Sequence, residues 1–300
     1  MAQSVRRVLR CPCAGKLAED TQGLRCVDCG EMYRYDGGQI DLRLRRPKGY
    51  PLTFTVGEDP LSNDELPFAP LVPSPAPQVD FSGIKVPTHL TPTLLSHFPK
   101  GHPGALALDL GCGTGNHRAV IERAGFEWLG LDYFDPAAPV LGDAHSLPLE
   151  SESVDFIMTI AVLEHLRYPF VAISEAYRVL KPGGRMIGTV AFLEPFHMDS
   201  HYHHTHLGTL NTLRFAGFAV ETVAPDASWR VLQAQAHMVL FPKLPPKVGR
   251  VLVAPLDLIH RGWWRLAAIV SPRASRTLRV RHTTGAFTFI ASKPVTTSAA

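Results

Sequence analysis

The chain has 300 residues, 45% of them apolar and 19% charged, with a formal net charge of +3. That length suits one medium catalytic domain plus a small module, and the apolar share supplies a large core. A balance this close to neutrality excludes recruitment of nucleic acid by global charge, and no apolar run approaches the ~20 residues needed to span a bilayer.

Met1–Arg10 lacks the apolar stretch of a secretory signal, so a cytoplasmic protein is expected. The pairs Cys11-Pro12-Cys13 and Cys26-x-x-Cys29 follow, twelve residues apart. Two facing cysteine pairs can build a tetrahedral zinc site, and the metal supplies folding energy that about 40 residues otherwise lack. The pattern resembles the zinc ribbon of the small activator subunit of tRNA methyltransferases. That family writes Cys-Pro-x-Cys-x-x-x-Leu, whereas Cys11-Pro12-Cys13-Ala14-Gly15-Lys16-Leu17 is one residue short and strains the first knuckle. The readings are a structural Zn2+ on Cys11, Cys13, Cys26 and Cys29, a degenerate ribbon held by its β core, or a disulfide, which a cytoplasmic setting disfavours. The expected module spans residues 1–46.

Twelve prolines lie between Pro47 and Pro103. They predict a linker over 47–104 that crosses the surface in extended form, with one short helix within His89–Phe98. Ala105–Leu110 is short and apolar, as a buried parallel strand should be. Glycines follow at 111, 113 and 115, then a helical stretch over Asn116–Ala124. Glycine lets the backbone turn tightly and approach a ligand without a Cβ in the way. Cys112, inside this turn, reads as a small packing residue.

The run Leu108-Asp109-Leu110-Gly111-Cys112-Gly113-Thr114-Gly115 resembles motif I of the class I S-adenosylmethionine (SAM)-dependent methyltransferases. A nicotinamide dinucleotide site would want GxGxxG instead. The resemblance continues in family order. Gly130-Leu131-Asp132 ends a second strand, Phe126–Leu131. Gly142-Asp143-Ala144-His145-Ser146-Leu147-Pro148-Leu149 is similar to the adenine-contacting segment. Ser153–Ile157 opens a fourth strand, followed by Val162-Leu163-Glu164-His165-Leu166. Leu180-Lys181-Pro182-Gly183-Gly184 is a turn into a fifth strand, Met186–Phe192. Only ten residues, including Pro136 and Pro139, separate Asp132 from Asp143, so the helix many relatives place there should shrink to a turn. This compact form resembles a bacterial group linked to glycan and surface-polymer biosynthesis.

The resemblance implies an α/β fold over 105–300: a Rossmann-like doubly wound sheet of seven strands, the last antiparallel. It implies SAM as cofactor, with Asp109, Gly111, Gly113 and Gly115 shaping the methionine and ribose end, Asp132 holding the ribose, and Asp143 and Ala144 meeting the adenine. The implied activity is methyl transfer to a small molecule, sugar or lipid-linked glycan, on oxygen. An RNA methyltransferase and a non-catalytic SAM-fold scaffold are the alternatives. The chain has no Asn/Asp-Pro-Pro-Tyr/Phe sequence for amino-nitrogen methylation, and nucleic acid is not the expected partner.

The loop after the fifth strand holds five histidines within 197–206. In this fold ligands bind beyond the carboxyl ends of the strands, so the loop lies near the transferred group. Its histidines serve as general base, bind a metal, or pair structurally with backbone; His197, His201 and His204 are the catalytic candidates. Thr205 is placed to cap a helix running to about Ala216, and Phe218–Val223 reads as the next strand. Residues 242–282 carry nine Lys or Arg and one acid, Asp257, between apolar stretches. This basic amphipathic insertion reads first as a helical lid or dimer contact packed on the core; peripheral contact with an anionic membrane is the second reading, and nucleic acid the third. Gly285–Ser292 is the expected final strand.

Overall fold

The computed structural model describes residues 3–20, 23–54, 68–270 and 282–295, with Ala268 described by its backbone alone. Part of the predicted linker (55–67) and the end of the basic insertion (271–281) fall outside the described residues.

The centre of the molecule is a strand, β6 (Leu106–Leu110), with every residue buried. Leu106, Leu108 and Leu110 enter one core cluster, and Ala105 and Ala107 enter the other. That alternation places apolar packing on both faces, which a central parallel strand requires. The parallel strands β7 (Glu127–Asp132), β8 (Val140–Leu141), β9 (Val154–Ile160) and β10 (Leu180–Ala191) surround it. Antiparallel β12 (Ala286–Ser292) then pairs with β10 on one side and with β11 (Ala219–Pro225) on the other. These are the seven strands expected from sequence.

Helix α4 (Pro169–Val179) starts at a proline, whose missing N–H costs nothing in the first turn. It buries Val171, Ala172, Ile173, Ala176 and Val179. Helix α5 (His206–Phe215) is capped by Thr205, whose hydroxyl accepts from the Gly208 N–H at 3.0 Å. Helix α3 (Arg118–Arg123) and the short α2 (Pro92–Leu95) pack through Val120, Ile121, Leu94 and Leu95 into the second cluster. Phe98 is 1% exposed there, so this part of the proline-rich segment contributes to the core as well as crossing the surface. As expected, Tyr133–Pro139 forms turns with no helix.

The sheet has nine strands where seven were expected, because the N-terminal segment joins it. After α1 (Gln3–Val8), the strands β1 (Leu17–Asp20), β2 (Gly23–Cys26) and β3 (Met32–Tyr33) form their own antiparallel sheet. The hairpin β4 (Tyr35–Asp36) and β5 (Gln39–Asp41) instead extends the large sheet beyond β8, with Ile40 opposite Val140. On the side of β8 away from β7, β5 satisfies the backbone groups that would otherwise form a sheet edge. The two regions share one core cluster: Leu9, Leu24, Ile40 and Leu42 lie in it with Leu129 and Leu131.

The basic insertion forms α7 (Pro246–Val270), with Pro255 inside it. Gly249, Val253 and Asp257, four residues apart, are its buried stripe. Among the described residues no helix is long and apolar enough to cross a membrane.

Ile40 is fully buried at the join between the two regions. Ile40→Ala should lower stability by about 2–4 kcal/mol in denaturant unfolding. The transition should stay single, monitored by tryptophan fluorescence from β7 and by far-UV circular dichroism. Two separated transitions in the wild-type chain would show instead that the regions fold independently.

Candidate active site and cysteine centre

Parallel strands deliver their carboxyl ends to one edge of the sheet. At that edge stand the glycine turn after β6, Asp132 at the end of β7, Asp143 after β8, and the loops after β9 and β10. Gly111 has φ +72°, and a Cβ there would run into the Val162 side chain, so only glycine fits. At Gly113 (φ +48°) the nearest atom to a built Cβ is Asp135 Oδ2 at 3.9 Å, so the outer side of the turn is open. The Gly113 N–H donates to Asp132 Oδ2 at 3.0 Å, while Asp132 Oδ1 accepts from the N–H groups of Phe134 and Asp135 at 2.9 and 3.0 Å. The turn and the acid are locked together, with one flank of the turn uncovered.

Asp109 lies under this turn, 1% exposed. Its carboxylate accepts from Trp128 Nε1 at 3.1 Å and lies 3.3 Å from His117 Nδ1; His117 Nε2 lies 2.8 Å from His89 Nε2. Burial and the neighbouring imidazole hold the His89 pKa below the usual histidine range. Asp109 therefore supports the turn from beneath. Residues 89, 117 and 128 carry no motif, and their meeting at Asp109 is not readable from the sequence.

Asp143 turns back on its own loop, with Oδ1 accepting from the His145 N–H at 2.9 Å and lying 2.7 Å from His145 Nδ1. Burial would raise its pKa, yet these contacts with His145 hold it below the usual carboxylate range. Ala144 is buried, at 7% exposure, in the main core cluster. The following residues are clamped by α4: Glu175 Oε2 accepts from the Leu147 N–H, and Arg178 donates to the carbonyls of Leu147 and Leu149. From the other side, Lys48 Nζ donates to Pro12 O and Ser146 Oγ, both at 3.0 Å. The first cysteine knuckle thus abuts the loop expected to meet adenine.

The three candidate histidines separate. His197 is half-buried, with its ring 5.1 Å from that of His165. His201 is exposed, and its backbone N–H donates to Glu164 O. His204 is buried with no partner at Nε2, and burial holds its pKa low. Glu164, between them, is 0% exposed; burial pushes its pKa up to about 7, with the Glu194 charge adding to the effect.

At the other end of the chain the four cysteine sulfurs converge. Cys11 and Cys29 Sγ are 3.7 Å apart, Cys13 and Cys26 Sγ 3.6 Å, and all four lie within 4.8 Å of one another. Tetrahedral Zn–S bonds of about 2.3 Å would set sulfurs about 3.8 Å apart, so the set fits zinc. Burial would raise the Cys26 thiol, but the Cys29 and Asp28 backbone groups outweigh it and lower the pKa to about 7. The shortened first knuckle places Ala14 at φ +76°, a left-handed conformation that costs a non-glycine residue about 1–2 kcal/mol.

The comparisons with known proteins agree with this geometry. Residues 108–188 match the methyltransferase domain family. The chain is 40% identical over 102 residues to an uncharacterized 37.1 kDa protein in transposon TN4556 of Streptomyces fradiae, covering 28% of this chain and 30% of that one. It is 39% identical over 102 residues to a malonyl-[acyl-carrier protein] O-methyltransferase of Methylococcus capsulatus, covering 29% and 37%. A tRNA U34 carboxymethyltransferase of Hahella chejuensis is 32% identical over 130 residues, 36% of each chain. The matches span about a third of the length of these curated relatives. Among solved structures, a SAM-dependent methyltransferase from Mesorhizobium loti aligns with a TM-score of 0.43 at 16% identity, over 68% of this chain and 97% of that one.

Purified protein should carry about one zinc per chain by elemental analysis, and Cys26→Ser should lose it. Ala14→Gly should retain the metal and raise the stability of the folded chain by about 0.5–1 kcal/mol, since relief at the left-handed position exceeds glycine's added unfolded-state freedom.

Proposed function

We propose that this chain transfers a methyl group from SAM to an oxygen of a small-molecule, sugar or lipid-linked glycan acceptor. The observation that carries this reading is the lock between the Gly113 N–H and Asp132, with one flank of the turn left open at the sheet edge. In this reading the open flank receives the methionine and ribose end, the remaining acceptor capacity of Asp132 takes ribose hydroxyls, and the Asp143–Ala144 loop meets adenine. Asp109 acts through the turn as a positioning residue. Bound SAM would supply an electrophilic methyl on a sulfonium that is its own leaving group.

What this chain adds is acceptor placement and removal of the hydroxyl proton. We assign the proton to His201. It is exposed, so its imidazole exchanges with water, and its backbone N–H ties it to Glu164 O at the sheet edge. His204 is enclosed and serves the loop structurally. Oxygen rather than amino nitrogen is supported by the end of β9 and the residues just after it, Thr159-Ile160-Ala161-Val162, which lack the amino-directed motif. The tRNA-directed name of one relative favours RNA as the second reading of the acceptor. Asp132→Ala should weaken S-adenosylhomocysteine binding at least tenfold by calorimetry. His201→Ala should leave that binding unchanged and lower the rate about 10²-fold on whichever acceptor pool, glycan or total tRNA, takes up labelled methyl.

Helix α7 supports a further proposal, attachment to an anionic membrane. Val251, Leu258, Ile259, Trp263, Ile269 and Val270 are between 62% and 81% exposed. The helix's acid, Asp257, is buried and paired with Arg230 and Arg261, at 3.3 and 3.0 Å, so the outer face carries apolar and basic groups. Such a face suits the boundary between lipid head groups and acyl chains. The protein should co-sediment with phosphatidylglycerol vesicles and not with phosphatidylcholine vesicles. Ile259→Glu with Trp263→Glu should return it to the supernatant. Equal recovery from both vesicle types would remove the proposal.

A further inference from the structure

Between the donor turn and the histidine-rich loop lies a set of groups that hydrogen bonding leaves incomplete. Glu164 and His165 belong to a single 3-10 turn, Leu163–His165, directly after β9. Glu164 is fully buried, and neither carboxylate oxygen has a partner. His165 Nδ1 is buried and also without a partner. His197 faces them from the loop after β10. Its Nδ1 lies 3.0 Å from Pro195 O, and since a carbonyl only accepts, Nδ1 carries the hydrogen and Nε2 presents a bare lone pair. The His165 and His197 rings stand 5.1 Å apart at 87°. One ligand atom from each of Glu164, His165 and His197 lies within 4.8 Å of the others.

Buried polar atoms ordinarily find partners, and an unpaired buried carboxylate is among the costliest exceptions. A cation among these three side chains removes the exception. It gives Glu164 a counter-charge, uses both bare imidazole nitrogens, and needs no group from elsewhere. The loop is already tied to the turn that carries two of the donors: the N–H groups of His201 and Tyr202 donate to Glu164 O, at 2.6 and 3.1 Å. Donors around an ion at about 2.1 Å stand about 3.0–3.4 Å apart, so side-chain rotations of His197 and Glu164 are enough to close the set.

We propose that Glu164, His165 and His197 form a divalent metal site at the acceptor end of the methyl-transfer edge. Two imidazole nitrogens and one carboxylate oxygen suit a first-row transition ion such as Zn2+ or Mn2+ better than Mg2+ or Ca2+, which prefer all-oxygen sets. Three protein ligands leave coordination positions open, as catalytic sites do and closed structural sites do not. The site lies beside the donor turn, because Val162, immediately before this 3-10 turn, is the side chain that excludes a Cβ at Gly111. The assignment of those open positions rests on the methyltransferase reading. They would take oxygens of the acceptor, so the substrate class is one that chelates: a diol, a hydroxy acid or a phosphorylated sugar. An oxygen held there is oriented and more acidic, which eases removal of its proton.

The test uses the full chain loaded with zinc at its cysteines and titrated with Mn2+, a harder ion that does not compete for thiolates. Electron paramagnetic resonance of free Mn2+ should report about one bound ion per chain. Glu164→Gln, His165→Ala and His197→Ala should each weaken it at least tenfold while leaving the thermal transition and S-adenosylhomocysteine affinity in place. His197→Ala alters a half-buried loop residue and keeps the test valid if the buried Glu164 variant does not fold. Absence of Mn2+ binding in the wild-type chain, or equal binding by His197→Ala and wild type, overturns the site. Mn2+ binding without S-adenosylhomocysteine binding upholds the metal site and removes the methyltransferase reading, so the two failures are distinguishable.

Discussion

The structure depends on a constraint of chain direction. Six strands, β5 to β10, run parallel in one sheet, so their carboxyl ends all emerge at one edge. Residues 111, 132, 143, 164 and 197 are far apart in sequence, and this shared direction brings their segments together. Within the edge, the Gly113–Asp132 hydrogen bond ties two neighbouring strand ends. It holds the glycine turn open on one side, and Asp109, Trp128 and His117 brace the same turn from below.

The N-terminal cysteine region is structurally continuous with the larger domain. Strand β5 pairs with β8 on its side away from β7 and so joins the N-terminal region to the large sheet. The same approach sets Pro12 and Lys48 against Ser146. These hydrogen bonds join the first cysteine knuckle directly to the 143–149 loop.

Much of this was legible in the residues. The strand-turn-helix around 105–124, the proline turn at 136–139 and the Thr205 cap follow from local patterns of apolar runs, glycine, proline and capping chemistry, while the acid at 132 and the antiparallel direction of the final strand followed from the family resemblance. The four cysteines converge as their spacing implies. The histidine-rich loop was legible as a location, but its composition did not say which ring would matter. His197 meets Glu164 and His165, His201 stays in solvent, and His204 turns inward. Glu164 was visible only as part of a recognised stretch, because nothing local marks a carboxylate as buried and unpaired.

The sequence by itself determined the order of elements and the glycine turn, which rest on backbone conformations within a few residues, and the four-cysteine cluster, whose two close pairs are brought together across a short span of chain. Tertiary structure alone decided that the cysteine region would become part of the main sheet, that Asp109 would sit beneath the turn, and that one carboxylate and two imidazoles would meet. Those outcomes depend on packing between segments tens of residues apart, where burial and missing partners arise only after the chain has closed on itself.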